Sequence, residues 1–291
     1  SEEKHQKHQK HQKHQKQYKN TAYVVCTPMD IEIRDKTNAD AFCSIFQHVR
    51  LFSDHINITF NETQLYVQSM DSSHIVIFEI HLPKTWFDVY TRKEGSGDTT
   101  IGISADIFSK VLHTRDKTQH IRLEFSTEIS DKLTVHFTGN DEITTLDKHF
   151  SLPLMDIESE MLSIPDFDSD VSITMPSANL ASIINQLQIF GDTIEFHCSK
   201  EKIQMTSDSS VVGKMEVDIV NSSQTSYTVK DDVAMKVSFA LYRMRDICSN
   251  SKLTKDVEIV LTDCYPIRVT YNVGNGGKMV FYLAPKIDDS R

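Results

Sequence analysis

Four short stretches of this chain repeat their apolar residues every three to four positions, and almost everything between them alternates. In ADAFCSIFQHVRLF (39–52), Phe42, Ile45, Phe46 and Val49 fall at i, i+3, i+4 and i+7. PSANLASIINQLQIF (176–190) repeats that spacing with Leu180, Ile183, Ile184 and Leu187. SADIFSKVLHT (104–114) offers Ile107, Phe108, Val111 and Leu112, and SFALYRMRDICS (238–249) offers Leu241, Met244, Ile247 and Cys248. Such spacing places one apolar stripe on a helix. Asn38, Ser104, Ser177 and Ser238 stand where an N-cap is expected.

Counted from Ala39, Ala105, Ala178 and Phe239, the helices begin 66, 73 and 61 residues apart, an internal repeat. Alternating runs fill the intervals, among them HINITF (55–60), QLYVQSM (64–70), IRLEFST (121–127), TIEFHCS (193–199) and PIRVTYNV (266–273). One helix followed by several antiparallel strands, four times over, predicts an α+β protein. It would hold two topologically similar domains, each a duplicated helix-plus-strands unit, with helix stripes packed on sheets.

Charge marks the boundary between the halves. Between Asp141 and Asp170 nine acidic residues are opposed by Lys148 alone. SLPLMDIESEMLSIPDFDSD (151–170) mixes spaced apolar residues, acids and prolines, which predicts an extended connector. The expected organisation is therefore a tail over 1–29, a first domain over 30–150, a connector over 151–169 and a second domain over 170–291.

The tail repeats His-Gln-Lys from residue 5 and has no apolar face to bury, so it is expected to be disordered. Two roles stand open for it: weak transition-metal binding, as in an affinity tag, or a basic arm that touches nucleic acid. No apolar run approaches the roughly 20 residues of a membrane span, and the polar N-terminus shows no signal-peptide pattern. Five cysteines (Cys26, Cys43, Cys198, Cys248 and Cys264) form no CxxC pair, which suits a reducing compartment and offers no metal framework. A net charge of −10 opposes nucleic-acid binding unless the cations are gathered on one surface.

VQSMDSSHIVIF (67–78) places Asp71, Ser72, Ser73 and His74 between two apolar runs. Asp and Ser bond nearby backbone groups and favour turns, whereas a catalytic triad needs a base that reaches its nucleophile. No phosphate-cradling glycine motif is present, GNGG (274–277) reads as a hairpin turn, and the histidines beyond the tail form no ligand set. An enzyme is not expected, nor a metal or cofactor.

Several motifs, in order, resemble the proliferating cell nuclear antigen family, the sliding clamps of DNA replication. They are VQSMDSSH (67–74), LMDIESEMLSIPD (154–166), Phe190-Gly191-Asp192, SFAL (238–241) and YLAPKIDD (282–289), and the resemblance runs from about Ile31 to Asp289. It implies the clamp fold and a polymerase processivity factor. Three copies would form a ring around duplex DNA, with the helices lining the hole. Implied partners are double-stranded DNA, a polymerase, a clamp loader, other proteins bearing the family's interaction peptide, and further copies of the chain. The resemblance implies a nuclear protein, or one at a cytoplasmic replication site if the chain is viral. The alternative is a related processivity factor that binds DNA as a monomer without closing a ring.

Residue by residue, the resemblance puts Arg50, Lys110, His113, Arg243 and Arg245 toward DNA. Positions often cationic in the family carry Cys43, Ser44, Ser182, Asn185 and Ser249 here, which weakens the expected contact. Partner peptides would dock on Met70, His74, Ile75 and Ile77, with Leu162, Ile164 and Pro165 from the connector. Pro266, Tyr282, Leu283, Ala284, Pro285 and Lys286 would close the pocket. Lys200 matches a position of regulatory modification in the family. Strands at 132–139 and 212–220 are expected at the subunit edges.

Overall fold

A computed structural model describes residues 29–287, apart from 93, 94, 96, 127–130, 140–145, 159, 160 and 166. The His-Gln-Lys tail and Cys26 lie outside the described residues. Strands in the first half are β1 Met29–Ile33, β2 His55–Phe60, β3 Gln64–Met70, β4 Val76–Pro83, β5 Val89–Thr91, β6 Thr99–Ser104, β7 His120–Phe125, β8 Lys132–Thr138 and β9 Lys148–Pro153. The second half supplies β10 Val171–Pro176, β11 Thr193–Cys198, β12 Ile203–Ser209, β13 Gly213–Ile219, β14 Ser226–Val229, β15 Met235–Ala240, β16 Asp256–Leu261, β17 Ile267–Asn272 and β18 Lys278–Leu283. The helices are α1 Lys36–Val49, α2 Ala105–His113, α3 Ser177–Leu187 and α4 Leu241–Cys248. Their starts at 36, 105, 177 and 241 keep the near-regular interval that the sequence shows.

Their apolar stripes are buried as the periodicity requires. Phe42, Phe46, Phe108, Leu180, Ile184 and Met244 each have 1% exposure or less. Phe42 and Phe46 pack on Phe108, so α1 and α2 lie together, and α3 pairs with α4 in the same way.

The expected caps hold only at Ser104, whose hydroxyl accepts from Ile107 N. Asp35 rather than Asn38 caps α1, accepting from Asn38 N at 2.9 Å, while the Asn38 amide donates to Trp86 O. Both residue types cap well, and the acid three positions earlier won. Ser177 is the first residue of α3 and Ser238 lies inside β15. In both places strand runs straight into helix, leaving Pro176 and Ala240 at the cap without a side-chain bond.

Three sheets share one plan. A five-stranded sheet runs β5-β1-β7-β8-β9 and a four-stranded sheet runs β13-β12-β11-β15. The nine-stranded sheet runs β14-β10-β16-β17-β18-β4-β3-β2-β6. It is therefore a five-strand set from the second half joined to a four-strand set from the first, with the seam at β18 and β4. That seam pairs Lys278 with His81 through Leu283 with Val76. β13 is an edge strand, as expected. β8 is not: β9 pairs with it from Lys132↔Pro153 to Phe137↔Lys148 and forms the edge itself.

The acidic connector crosses the outer face of the nine-stranded sheet. Met155 N donates to Gly102 O at 2.8 Å, and Asn57 Nδ2 donates to Ile157 O at 3.0 Å. A Cβ on Gly102 would sit 2.3 Å from Met155 O, so only glycine lets the connector approach β6 here. Farther on, the Gln68 amide donates to Leu162 O at 2.9 Å and accepts from Leu162 N at 2.7 Å. Phe167 stacks on Tyr265 before the chain enters β10.

Candidate functional site

The turn at 71–74 is built around one carboxylate. Asp71 is 2% exposed and accepts from Ser73 N, Ile75 N and Val76 N, at 3.2, 2.9 and 2.7 Å. His74 closes the turn with a φ of 59°. Burial pushes the Asp71 carboxyl up, but the Val76 amide, the Ser73 hydroxyl, the Ile75 amide and the Arg243 charge outweigh it and hold it below the usual carboxylate range. With its lone pairs so occupied, Asp71 orients no histidine. The segment is a turn.

Arg243 departs from its expected place. Its guanidinium reaches Asp71 at 2.6 Å and Ser73 Oγ at 2.6 Å, and its side chain is 12% exposed. Its guanidinium is engaged by the 71–74 turn instead of standing free on the exposed face of α4. The remaining cations stay on the exposed helix faces, each close to an acid or an amide. Arg50 lies 3.9 Å and Lys110 2.6 Å from the shared Asp106, and Arg245 lies 3.1 Å from Asp246. His113 Nδ1 is 3.3 Å from the Gln47 amide. Gln47, Arg50, Lys110 and His113 line one shallow hollow between α1 and α2.

Strand pairing brings the docking residues into register. Met70 pairs with Ile77, Ile77 with Tyr282, and Tyr282 with Arg268, one outward row across β3, β4, β18 and β17. Pro266 precedes β17, and Ala284 N donates to Ile75 O at 2.9 Å. Ile75, Ile164, Pro266, Ala284 and Pro285 are half-buried, and Pro165 is exposed. Leu283 is fully buried, because alternation along β18 turns Tyr282 outward and Leu283 into the core, so it belongs to no pocket. The Lys286 ammonium is tied to Thr193 Oγ1 at 2.5 Å and Asp192. Lys200 is exposed on the β11–β12 turn, 2.7 Å from Asp231.

Met70, His74 and Leu162 also line a cavity of about 410 Å³ beneath the connector, with His55, Asn57, Gln68, Ile157 and Glu158. Gln68 and Glu79 are polar neighbours of this row that motif reasoning does not single out. Both stand at outward positions two residues from Met70 and Ile77, the one signal that pointed to them. Glu79 accepts from Tyr66 OH at 2.5 Å and Tyr282 OH at 3.1 Å. Burial raises its carboxyl, but hydrogen bonds from His81 and Tyr66, the His81 charge and the Tyr282 hydroxyl bring it down to about 2. Burial and the Glu79 charge push the Tyr66 phenol up.

Helices α1 and α4 meet end to end across the seam. His48 Nε2 lies 2.7 Å from Asp246 O, and the Asn250 amide donates to Ser44 O at 3.0 Å. Burial pulls the His48 imidazole down to about 4.

Two family profiles match successive parts of the chain. The proliferating cell nuclear antigen N-terminal domain matches residues 32–161, and the C-terminal domain matches residues 163–286. The proliferating cell nuclear antigen of Caenorhabditis elegans is 30% identical over 238 residues, covering 79% of this chain and 87% of that protein. The chain belongs to the proliferating cell nuclear antigen family. It is a sliding clamp, a processivity factor of DNA replication. In this family member the helix pairs α1–α2 and α3–α4 form a continuous row through the His48 and Asn250 contacts.

Proposed function

We propose that three copies close head to tail into a ring around duplex DNA, with β9 of one copy pairing with β13 of the next. The supporting observation is the internal seam. The five-strand set ending in β9 has the topology of the set ending in β18, and the set ending in β13 has that of the set ending in β4. Phe150 pairs with Val135 as Phe281 pairs with Val269, and Met215 pairs with Ser207 as Phe78 pairs with Ser69. The seam then serves as a template for the open edges. It aligns Phe150 with Met215, His149 with Glu216 and Ser151 with Lys214, all antiparallel. At the seam Phe281 packs within 5.1 Å of Phe52 and 5.2 Å of His48. Phe150 would fill the equivalent place beneath α3 of the next copy, beside a hollow of about 360 Å³ lined by Ile183, Val217 and Ile219. Two open edges on one chain invite pairing, and a closed ring removes both.

Within the ring, Arg50, Lys110, His113 and Arg245 face the hole and meet phosphates without sequence preference. Neighbouring acids keep that contact weak, and topology rather than affinity holds the clamp. The row Met70–Ile77–Tyr282, with Ile164 and Pro266, receives aromatic and aliphatic anchors of partner peptides from a polymerase, a clamp loader and repair proteins. The protein works at nuclear replication sites, and Lys200 is an exposed candidate for regulatory modification. Sedimentation of the wild type and of Phe150→Arg tests the ring. A trimer in the former and a monomer in the latter is expected, and a wild-type monomer at roughly tens of micromolar overturns the proposal.

A further inference from the structure

Two histidines stand side by side at the open edge of the five-stranded sheet. His136 on β8 and His149 on β9 are directly paired, with Nδ1 atoms 2.6 Å apart. His136 Nε2 lies 2.9 Å from Glu124 Oε2, and Glu124 is also bonded by Arg122, which pairs with Asp30. This polar row crosses β1, β7, β8 and β9 and ends at the free edge.

The row fixes where protons sit. His136 Nε2–H donates to the Glu124 carboxylate, so in the neutral ring its Nδ1 is the acceptor. His149 must then donate from Nδ1, which leaves a lone pair on its Nε2. That nitrogen has no partner among the described residues. In the register copied from the internal seam, the residue opposite His149 is Glu216 of the adjacent copy, on the same outward face. Directly opposed side chains stand about 4.5–5.5 Å apart at Cβ. A carboxylate and an imidazole lone pair are both acceptors and repel. One added proton converts the contact into a charge-assisted hydrogen bond, Nε2–H to carboxylate.

We propose that the His136–His149 pair is an inter-subunit contact site whose occupant is the Glu216 carboxylate of a second copy, and that closing each interface there takes up one proton. The proposal rests on the ring reading above. Bound between Glu124 and Glu216, the two imidazoles carry added positive charge with an acid on either side. In the separated chain only Glu124 offsets it. Arg122 on β7 is already committed to Asp30 and Glu124. On β13, Lys214 is ion-paired to Glu216 and faces Ser151 in this register, so it accompanies Glu216 without replacing the proton. Asp218, held by Lys202, would face Asp147, a pair of acids that adds negative potential at the same edge. The added proton is shared by the coupled pair rather than owned by one ring.

Proton uptake on association means tighter rings at lower pH, within the range where imidazoles exchange protons. The experiment is sedimentation equilibrium of the full chain between about pH 8 and about pH 6, with His149→Gln and Glu216→Gln measured alongside. The association constant per interface should rise by up to about tenfold per pH unit in the wild type. Each variant should trimerise with a nearly flat pH profile. The tail histidines are common to all three proteins, so they cancel in the comparison. A wild type that trimerises without pH dependence, or a His149→Gln variant that keeps the full slope, overturns the proposal and leaves the ring standing. A Glu216→Gln variant that keeps the slope overturns the assigned occupant. Absence of association at every pH overturns the ring reading, and this contact with it.

Discussion

The Asp71 carboxylate and the Arg243 guanidinium meet at 2.6 Å across the boundary between the two halves of the chain. One belongs to the docking turn and the other to α4, whose exposed face also carries Arg245. The turn at 71–74 is thus held from the other half of the chain, by a side chain of α4. Ser73 Oγ, in the same turn, shares the guanidinium at 2.6 Å.

Removing Arg243 leaves Asp71 buried without its counter-charge. Arg243→Met should destabilise the protein by about 3–5 kcal/mol, as for other broken buried pairs. Combined with Asp71→Asn, the loss should be partly recovered, because the uncompensated charge is gone. Denaturant unfolding of the two single variants and the double variant checks this. Arg243→Met should also leave the salt dependence of DNA binding unchanged, while Lys110→Ala flattens the slope by roughly one unit. A flattened slope in Arg243→Met would return that residue to the DNA-facing set.

Beyond the Asn57 contact at Ile157, the connector is held near its middle by Gln68. Gln68 makes two hydrogen bonds to the Leu162 backbone, and Leu162 is itself 37% exposed. Gln68→Ala should release that segment at a cost of about 1–3 kcal/mol, expressed as local opening rather than global unfolding. Amide hydrogen exchange at Leu162 should quicken by about tenfold or more, with core strands such as β17 unaffected.

Much of this architecture is legible from residue spacing, and the part that is not has identifiable causes. Phe42, Leu180 and Met244 announce their helices because a buried stripe leaves a 3.6-residue rhythm. The edge assignment fails at β8 because KLTVHFT and KHFSLP are both plausible strands, and only long-range pairing decides which one lies outermost. Arg243 reads as a helix-surface cation until its partner, in the other half of the chain, is brought to it. Gln68 sits inside VQSMDSSH and Glu79 lies five residues beyond it, yet the motif gives neither a role. Their roles come from standing beside Leu162 and Tyr282 once the strands are in register. Leu283 was misplaced for a simpler reason: a motif carried over whole ignores the alternation of side chains within it.

Buried His48 and half-buried Glu79 contribute to the acid limit of stability in successive windows. The His48 imidazole, pulled down to about 4, is neutral in the fold and must stay so. The unfolded chain binds that proton from about pH 6.5 downward, so stability is complete above that value and falls as pH drops toward 4. The loss amounts to about 3 kcal/mol at most. Glu79 acts later, because its carboxyl sits at about 2, and its contribution is lost below about pH 4.5 as the proton goes on. Thermal unfolding from pH 8 to pH 4 should show the first loss, and His48→Gln should flatten it, though at some cost in packing against Phe52 and Phe281. A wild type equally stable at pH 7 and pH 4.5 would show that the His48 site admits a proton freely.

The docking face is tested by charge. Ile164 is half-buried on the connector beyond the Gln68 anchor. A family interaction peptide, with glutamine, an aliphatic residue and paired aromatics, should seat its rings against the row of Met70, Ile77 and Tyr282. Burial of those rings is opposed by ordering of the peptide and the connector, so micromolar binding is expected. Ile164→Asp would put an unpaired carboxylate against an apolar anchor. The variant should lose about 2–4 kcal/mol of binding, enough to erase a micromolar signal in calorimetry. Ring assembly should be untouched, since the connector lies on the nine-stranded sheet and the open edges belong to β9 and β13. Full affinity in Ile164→Asp, with the trimer intact, would move the docking site off this row and toward the cavity between the connector and His55.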